Sequence, residues 1–138
     1  MADRVTKVTY CHLDVPSRSG QGAQVLGALA EAGVDLQAFS GFPKGAGKAQ
    51  VDLVTSDLAR VRRVAAHNGW RLSATKRAFL IQGDDRVGAV ASHVRKLAER
   101  RINITAADAV SSGKARWAMI LWVKPKDYAK AAKALGAR

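Results

Sequence analysis

The sequence predicts an α+β protein built of two ferredoxin-like βαββαβ units packed together, the second lacking its last strand. Three observations carry that expectation: stretches of period-two hydrophobicity, amphipathic stretches of helical period between them in a set order, and an internal repeat after 68 residues. At 138 residues, 48% of them hydrophobic, the chain can bury a core and is long enough for one ordinary domain or two small ones.

The elements follow in order. Residues 5–15 alternate, with Thr9, Cys11, Leu13 and Val15 on one face, as a strand requires. Residues 22–32 change period: Val25, Leu26, Leu29 and Ala30 form a helical stripe, and Gly33 stands where a left-handed C-cap is expected. Residues 35–42 and 49–54 read as a strand pair joined by a Gly- and Pro-punctuated turn. Ser56 or Asp57 then caps a helix that turns Leu58, Val61, Val64 and Ala65 inward and closes at Asn68-Gly69. Residues 71–82 are strand-like, as one long strand or two. In residues 87–101, Val87, Val90, Ala91, Val94, Leu97 and Ala98 recur at three-four spacing, which predicts a helix N-capped by Asp84 or Asp85. Residues 103–110 and 116–123 form another strand pair. The chain ends in a helix over 127–135, with Tyr128, Ala131, Ala132 and Leu135 inward and Gly136 after it.

A shift of 68 residues lays Leu29-Ala30-Glu31-Ala32-Gly33-Val34-Asp35-Leu36 over Leu97-Ala98-Glu99-Arg100-Arg101-Ile102-Asn103-Ile104, and Gly20 over Gly88. With two residues inserted, Asp57-Leu58-Ala59-Arg60 meets Asp127-Tyr128-Ala129-Lys130. The repeat places the units at 1–76 and 77–138. Only three residues follow the last helix, so the second sheet must stay open at that edge, be covered, or be completed by the other unit or another chain.

Composition excludes several functional classes. The apolar run at residues 118–123 is far short of the roughly 20 residues of a membrane helix, and the N-terminus has no signal-peptide pattern, so a cytoplasmic protein with no membrane partner is expected. A single cysteine, Cys11, leaves no internal disulfide and no paired-cysteine metal site. His12, His67 and His93 have no metal-ligand spacing, and no nucleophile elbow, zinc-protease or complete phosphate-loop motif occurs. The glycines of residues 41–48 join two strands instead of opening a helix. No catalysis and no cofactor are expected.

The segment Asp84-Asp85-Arg86-Val87-Gly88-Ala89-Val90, followed by a helix and the exit Leu97-Ala98-Glu99-Arg100-Arg101-Ile102-Asn103-Ile104, resembles the ACT domain family of small ligand-binding regulatory modules. Arg86 and Gly88 match the family's entry loop, with Val87 in place of its usual proline. The first unit matches the exit at residues 29–36, while its entry loop, residues 14–22, is longer. The resemblance spans nearly the whole chain as two ACT-like copies. It implies a non-catalytic regulatory protein that binds a small molecule, an amino acid, at the strand-helix loops, assembles as a homo-oligomer such as a dimer, and acts on an enzyme or regulator in trans.

On that basis the candidate ligand residues are Ser19, Gly20, Gln21, Gly22 and Asp35 in the first unit and Asp84, Arg86, Val87, Gly88 and Asn103 in the second. The physical case is that a Gly-bearing turn entering a helix presents backbone N–H groups at the positive end of the helix dipole, where a carboxylate or phosphate is favoured. The plain structural alternative is that these glycines only permit tight turns, and that Asp35 and Asn103 only cap theirs.

Charge supplies a competing class. The net charge is +12, and residues 86–138 hold 12 of the 23 basic but 3 of the 11 acidic side chains. A positive surface of this kind suits nucleic acid or an acidic protein. The central strands lack the aromatic pattern of RNA-recognition modules, and Trp117 and Trp122 read as packing residues. Arg95, Lys96, Arg100, Arg101, Lys130 and Lys133 fall on outer helix faces.

Overall fold

A computed structural model describes residues 2–138. The chain packs as two units. One is residues 9–76; the other joins residues up to Val8 with residues 77–138. The repeat places the division near residue 76; packing adds residues 2–8 to the C-terminal unit.

The unit of residues 9–76 contains the second half of β1 (Arg4–Pro16), then α1 (Gln21–Glu31), β2 (Ala38–Gly45), β3 (Lys48–Val54) and α2 (Leu58–Asn68). Its strands lie in the order β2-β3-β1. Antiparallel pairing sets Cys11 opposite Leu53 and Leu13 opposite Val51. Because successive side chains of a strand alternate between faces, Cys11, Leu13, Val15, Val51 and Leu53 share the face that meets Val25 and Leu29 of α1 and Val61 of α2. Asp57 caps α2, accepting from the Arg60 N–H at 3.1 Å, and Gly69 ends it in the left-handed conformation. Residues 70–75 form no regular element, although the sequence is strand-like from residue 71. Ser73 holds them to β1: its N–H donates to the His12 carbonyl at 2.8 Å, and its hydroxyl accepts from the His12 N–H at 2.9 Å.

The C-terminal unit contains β4 (Lys76–Asp84), α3 (Ala89–Glu99), β5 (Ile104–Gly113), β6 (Arg116–Val123), a 3-10 turn (Pro125–Asp127) and α4 (Tyr128–Leu135). The strand that the second repeat lacks is supplied by the first half of β1, giving the order β1-β4-β6-β5. The chain end ties into the same strand. The Arg138 N–H donates to the Val5 carbonyl at 3.1 Å, and its carbonyl accepts from the Lys7 N–H at 3.0 Å. An open edge is thereby closed within one chain, satisfying backbone groups that would otherwise be free to pair with other molecules. Val5, Phe79, Ile81, Leu97, Met119, Leu121 and Leu135 form the core. Phe79 stacks on Tyr128 with ring centroids 4.4 Å apart, and the Tyr128 hydroxyl donates to the Ala78 carbonyl at 2.9 Å.

The helix expected from Val87 begins instead at Ala89, because Gly88 turns the chain at φ +84 just before it. Its buried stripe is Ala89, His93 and Leu97, rotated away from the predicted one; Val87 is fully exposed and Val90 is 39% exposed. A histidine is no apolar signal, so the apolar residues alone point to a face beside the buried one. Neither Asp84 nor Asp85 caps the helix, which has no side-chain cap. Asp84 pairs with Arg116 at 2.7 Å, and Asp85 accepts from Ser111 at 3.3 Å. The two readings differ measurably in urea unfolding: Val87→Ser is expected to change stability by less than about 0.5 kcal/mol, whereas Leu97→Ala should cost about 2–5 kcal/mol. A Val87 cost equal to that of Leu97 would restore the predicted stripe.

Cys11 is buried, as are Trp117 and Trp122. Among the described residues, no helix is long and apolar enough to cross a membrane.

Candidate functional site

In the C-terminal unit, the turn between β4 and α3 opens into a cavity of about 270 Å³. Arg86, Gly88 and the first residues of α3 form one wall; Ala109, Val110 and Ser111 of β5 form another, with Trp117 also in the lining. The volume lies just below the range of drug-sized ligand sites, about 300–1,000 Å³, so it suits a small molecule. Helix α3 starts without a side-chain cap, so its first-turn N–H groups have no side-chain acceptor there. The Trp117 indole N–H is buried and has no hydrogen-bond partner among the described residues.

Beneath this turn lies a charged cluster that the sequence reading missed. Both Asp3 carboxylate oxygens accept from Arg86, at 3.0 and 2.9 Å, and Asp3 Oδ2 lies 2.6 Å from His93 Nε2. The Asp3 and His93 side chains are each 4% exposed, Arg86 45%. The Arg86 guanidinium holds the Asp3 carboxyl down to about 2, against the opposing cost of burial. Arg86 also donates to the Asp84 carbonyl at 3.0 Å, so its fork fastens the turn to the N-terminal segment. Gly83 makes room for this: a Cβ there would overlap the Asp3 carboxylate.

The corresponding turn of the other unit borders a cavity of about 440 Å³, lined by Arg18, Gln21, Gly22 and the half-exposed rings of Phe39 and Phe42 among others. Gly20 caps α1 at φ +90. Helix α1 likewise begins without a side-chain cap.

The candidate residues are therefore gathered only in part. Arg86 and Gly88 line the first cavity, Gln21 and Gly22 the second. Ser19 and Gly20 form the turn but not the lining of the second cavity, and Asp84 and Val87 stand in the same relation to the first. Asp35 and Asn103 are exposed beyond the C-terminal ends of α1 and α3, about 16 Å along each helix from its glycine cap. The Asp35 carbonyl accepts from the Thr55 hydroxyl at 2.8 Å. Asp3, Ser111 and Trp117 carried no local motif; only the strand pairings bring them to the turn.

His12 and Asp52 are opposite each other on β1 and β3. Burial pushes the Asp52 carboxyl up and the His12 imidazole down, and Asp52 accepts from Gln50 at 2.9 Å. Among the described residues, no group of three or more His, Cys, Asp or Glu is placed to hold a metal ion.

No family model matches the chain, and no curated protein matches it in sequence. Solved structures do match in fold. Protein BT0572 from Bacteroides thetaiotaomicron is similar over 97% of this chain and 88% of its own, with TM-score 0.79 and 16% identity. The ligand-free regulatory subunit of aspartate kinase from Thermus thermophilus is similar over 98% of this chain and 93% of its own, with TM-score 0.61 and 19% identity. Aspartate kinase from Synechocystis aligns with 98% of this chain over 26% of its own length, with TM-score 0.61 and 14% identity. At these identities the likeness concerns the fold, which is the expected α+β tandem of ferredoxin-like units.

Proposed function

We propose that this protein is a non-catalytic regulatory module that binds a small anionic or zwitterionic ligand, an α-amino acid, in the cavity beside the turn at residues 84–88. The observation that carries the reading is the convergence of an uncapped helix start and a glycine-shaped turn on one small cavity. A ligand carboxylate is favoured at the helix N-terminus, while the Ser111 hydroxyl offers a polar group for the rest of the molecule. Arg86 acts as the brace of the turn, its fork being taken by Asp3. Fold likeness to regulatory subunits of aspartate kinase supports the regulatory reading, and with it a homo-oligomer and a regulated enzyme or regulator in trans.

The test is thermal unfolding against the twenty amino acids, since a ligand that binds only the folded state raises the midpoint. One amino acid should give a dose-dependent shift. Ala109→Phe, on an exposed strand position that lines the cavity, should abolish the shift with the ligand-free midpoint unchanged. Gly88→Val should also abolish it, at an added cost of about 1–2 kcal/mol for the left-handed backbone. A shift that survives Ala109→Phe places the ligand elsewhere; no shift with any amino acid overturns the ligand class.

A further inference from the structure

We infer that the outward face of α3 and α4 is a docking surface for the phosphate backbone of a double-stranded nucleic acid. Arg95, Lys96, Arg100, Arg101, Lys130 and Lys133 are all exposed there, and among the described residues none of the six has an ion-pair partner. Glu99 and Asp127 are the acids on these two helices and their caps.

The internal repeat shows that the fold does not require these charges. At the positions of Arg95, Lys96, Arg100 and Arg101 the first copy has Gly27, Ala28, Ala32 and Gly33. Helix α1 forms with no basic residue in its last turn, so dipole compensation does not account for the cations either. Arg101 is the sharpest case. It sits at φ +58, a left-handed position that Gly33 fills at φ +76 in the other copy. A side chain there costs about 1–2 kcal/mol over glycine, so an arginine at this position opposes local stability. In the first unit, Arg60 donates to the Ala32 and Gly33 carbonyls at 3.3 Å; Lys130, its counterpart, makes no such bond.

The face has no apolar anchor. The exposed large hydrophobics are Phe39, Phe42, Val87, Val90 and Val110, none of them on α4 or the last two turns of α3. Membrane insertion needs such a face, and protein interfaces draw most of their affinity from buried aromatic or aliphatic groups. The absence of exposed aromatics on this face also disfavours stacking on unpaired bases. A duplex backbone asks only for spaced positive charge, and binding gains from counterion release.

Anisotropy of a labelled 20-base-pair duplex, titrated with the full chain between 50 and 300 mM salt, tests this. The variant Arg95→Ala, Lys96→Ala, Arg100→Ala, Arg101→Gly should bind at least tenfold more weakly at low salt, with the slope of log K against log salt reduced by about 3–4. Its thermal midpoint should not fall, since alanine favours helix and glycine relieves Arg101. A second variant, Lys48→Ala, Arg63→Ala, Arg71→Ala, Lys76→Ala, loses the same charge elsewhere and should stay within threefold of the parent. Equal weakening by both variants, or no duplex binding at 50 mM salt, overturns the proposal. So does tighter binding to anionic phospholipid vesicles or to polyglutamate than to the duplex. Because the small-ligand cavity contains none of the substituted residues, an unchanged amino-acid response in the first variant separates the two sites.

Discussion

Deleting residues 2–8 is expected to unfold the C-terminal unit while leaving the unit of residues 9–76 with its own core. The deleted stretch holds the closing strand beside β4, the buried Val5 and Val8, the Asp3 carboxylate, and the backbone partners of Arg138. Burying each valine is worth about 1.5–3 kcal/mol, and the strand's hydrogen bonds and the Asp3 pair add to that. The total approaches the whole stability of a small domain, about 5–15 kcal/mol. Hydrogen exchange reads the outcome by segment: amides of β4 and β6 should lose protection, and those of α1, α2 and β3 should keep it. Protection of β4 within tenfold of the parent would mean that the unit closes without β1.

Asp3→Ala should cost about 2–3 kcal/mol at pH 7. Removing one partner of a fully buried pair costs about 3–5 kcal/mol, and the cost here is lower because Arg86 is half-exposed and regains water. His93, enclosed, loses its acceptor outright. The acid limb identifies the cause. A carboxyl at about 2 in the fold, against an ordinary 3.8, is stabilising above the ordinary value and loses that contribution as pH falls toward 2. Between pH 4 and pH 2 the parent should therefore lose on the order of 2 kcal/mol more than Asp3→Ala does. Parallel curves would mean that Asp3 is not the group held low. Gly83→Ala reaches the same cluster from the other side, since its Cβ must displace the carboxylate; it should match Asp3→Ala in direction and shorten the same limb.

The candidate site was legible only in its local parts. Gly88 and Gly20 announce turns into helices because glycine accepts positive φ cheaply, and both adopt it, at +84 and +90. Arg86 stood out in the same loop. Its partner lies 83 residues away in sequence, and no local pattern reports a contact of that separation. His93 was passed over for a related reason: burial of an imidazole is permitted by the Asp3 carboxylate, which the helix's own sequence does not contain.

What the sequence determined by itself was the order of elements, the period of each and the doubling of the unit, because hydrophobic periodicity, caps and turns act over a few residues. Tertiary structure alone decided that β1 divides between the units, supplying the strand the second repeat lacks, and that Asp3 braces Arg86. Those are pairings between distant segments. A strand's alternation states which face it buries, and any neighbour with a complementary edge satisfies it, so the choice of neighbour emerges only when the whole chain packs.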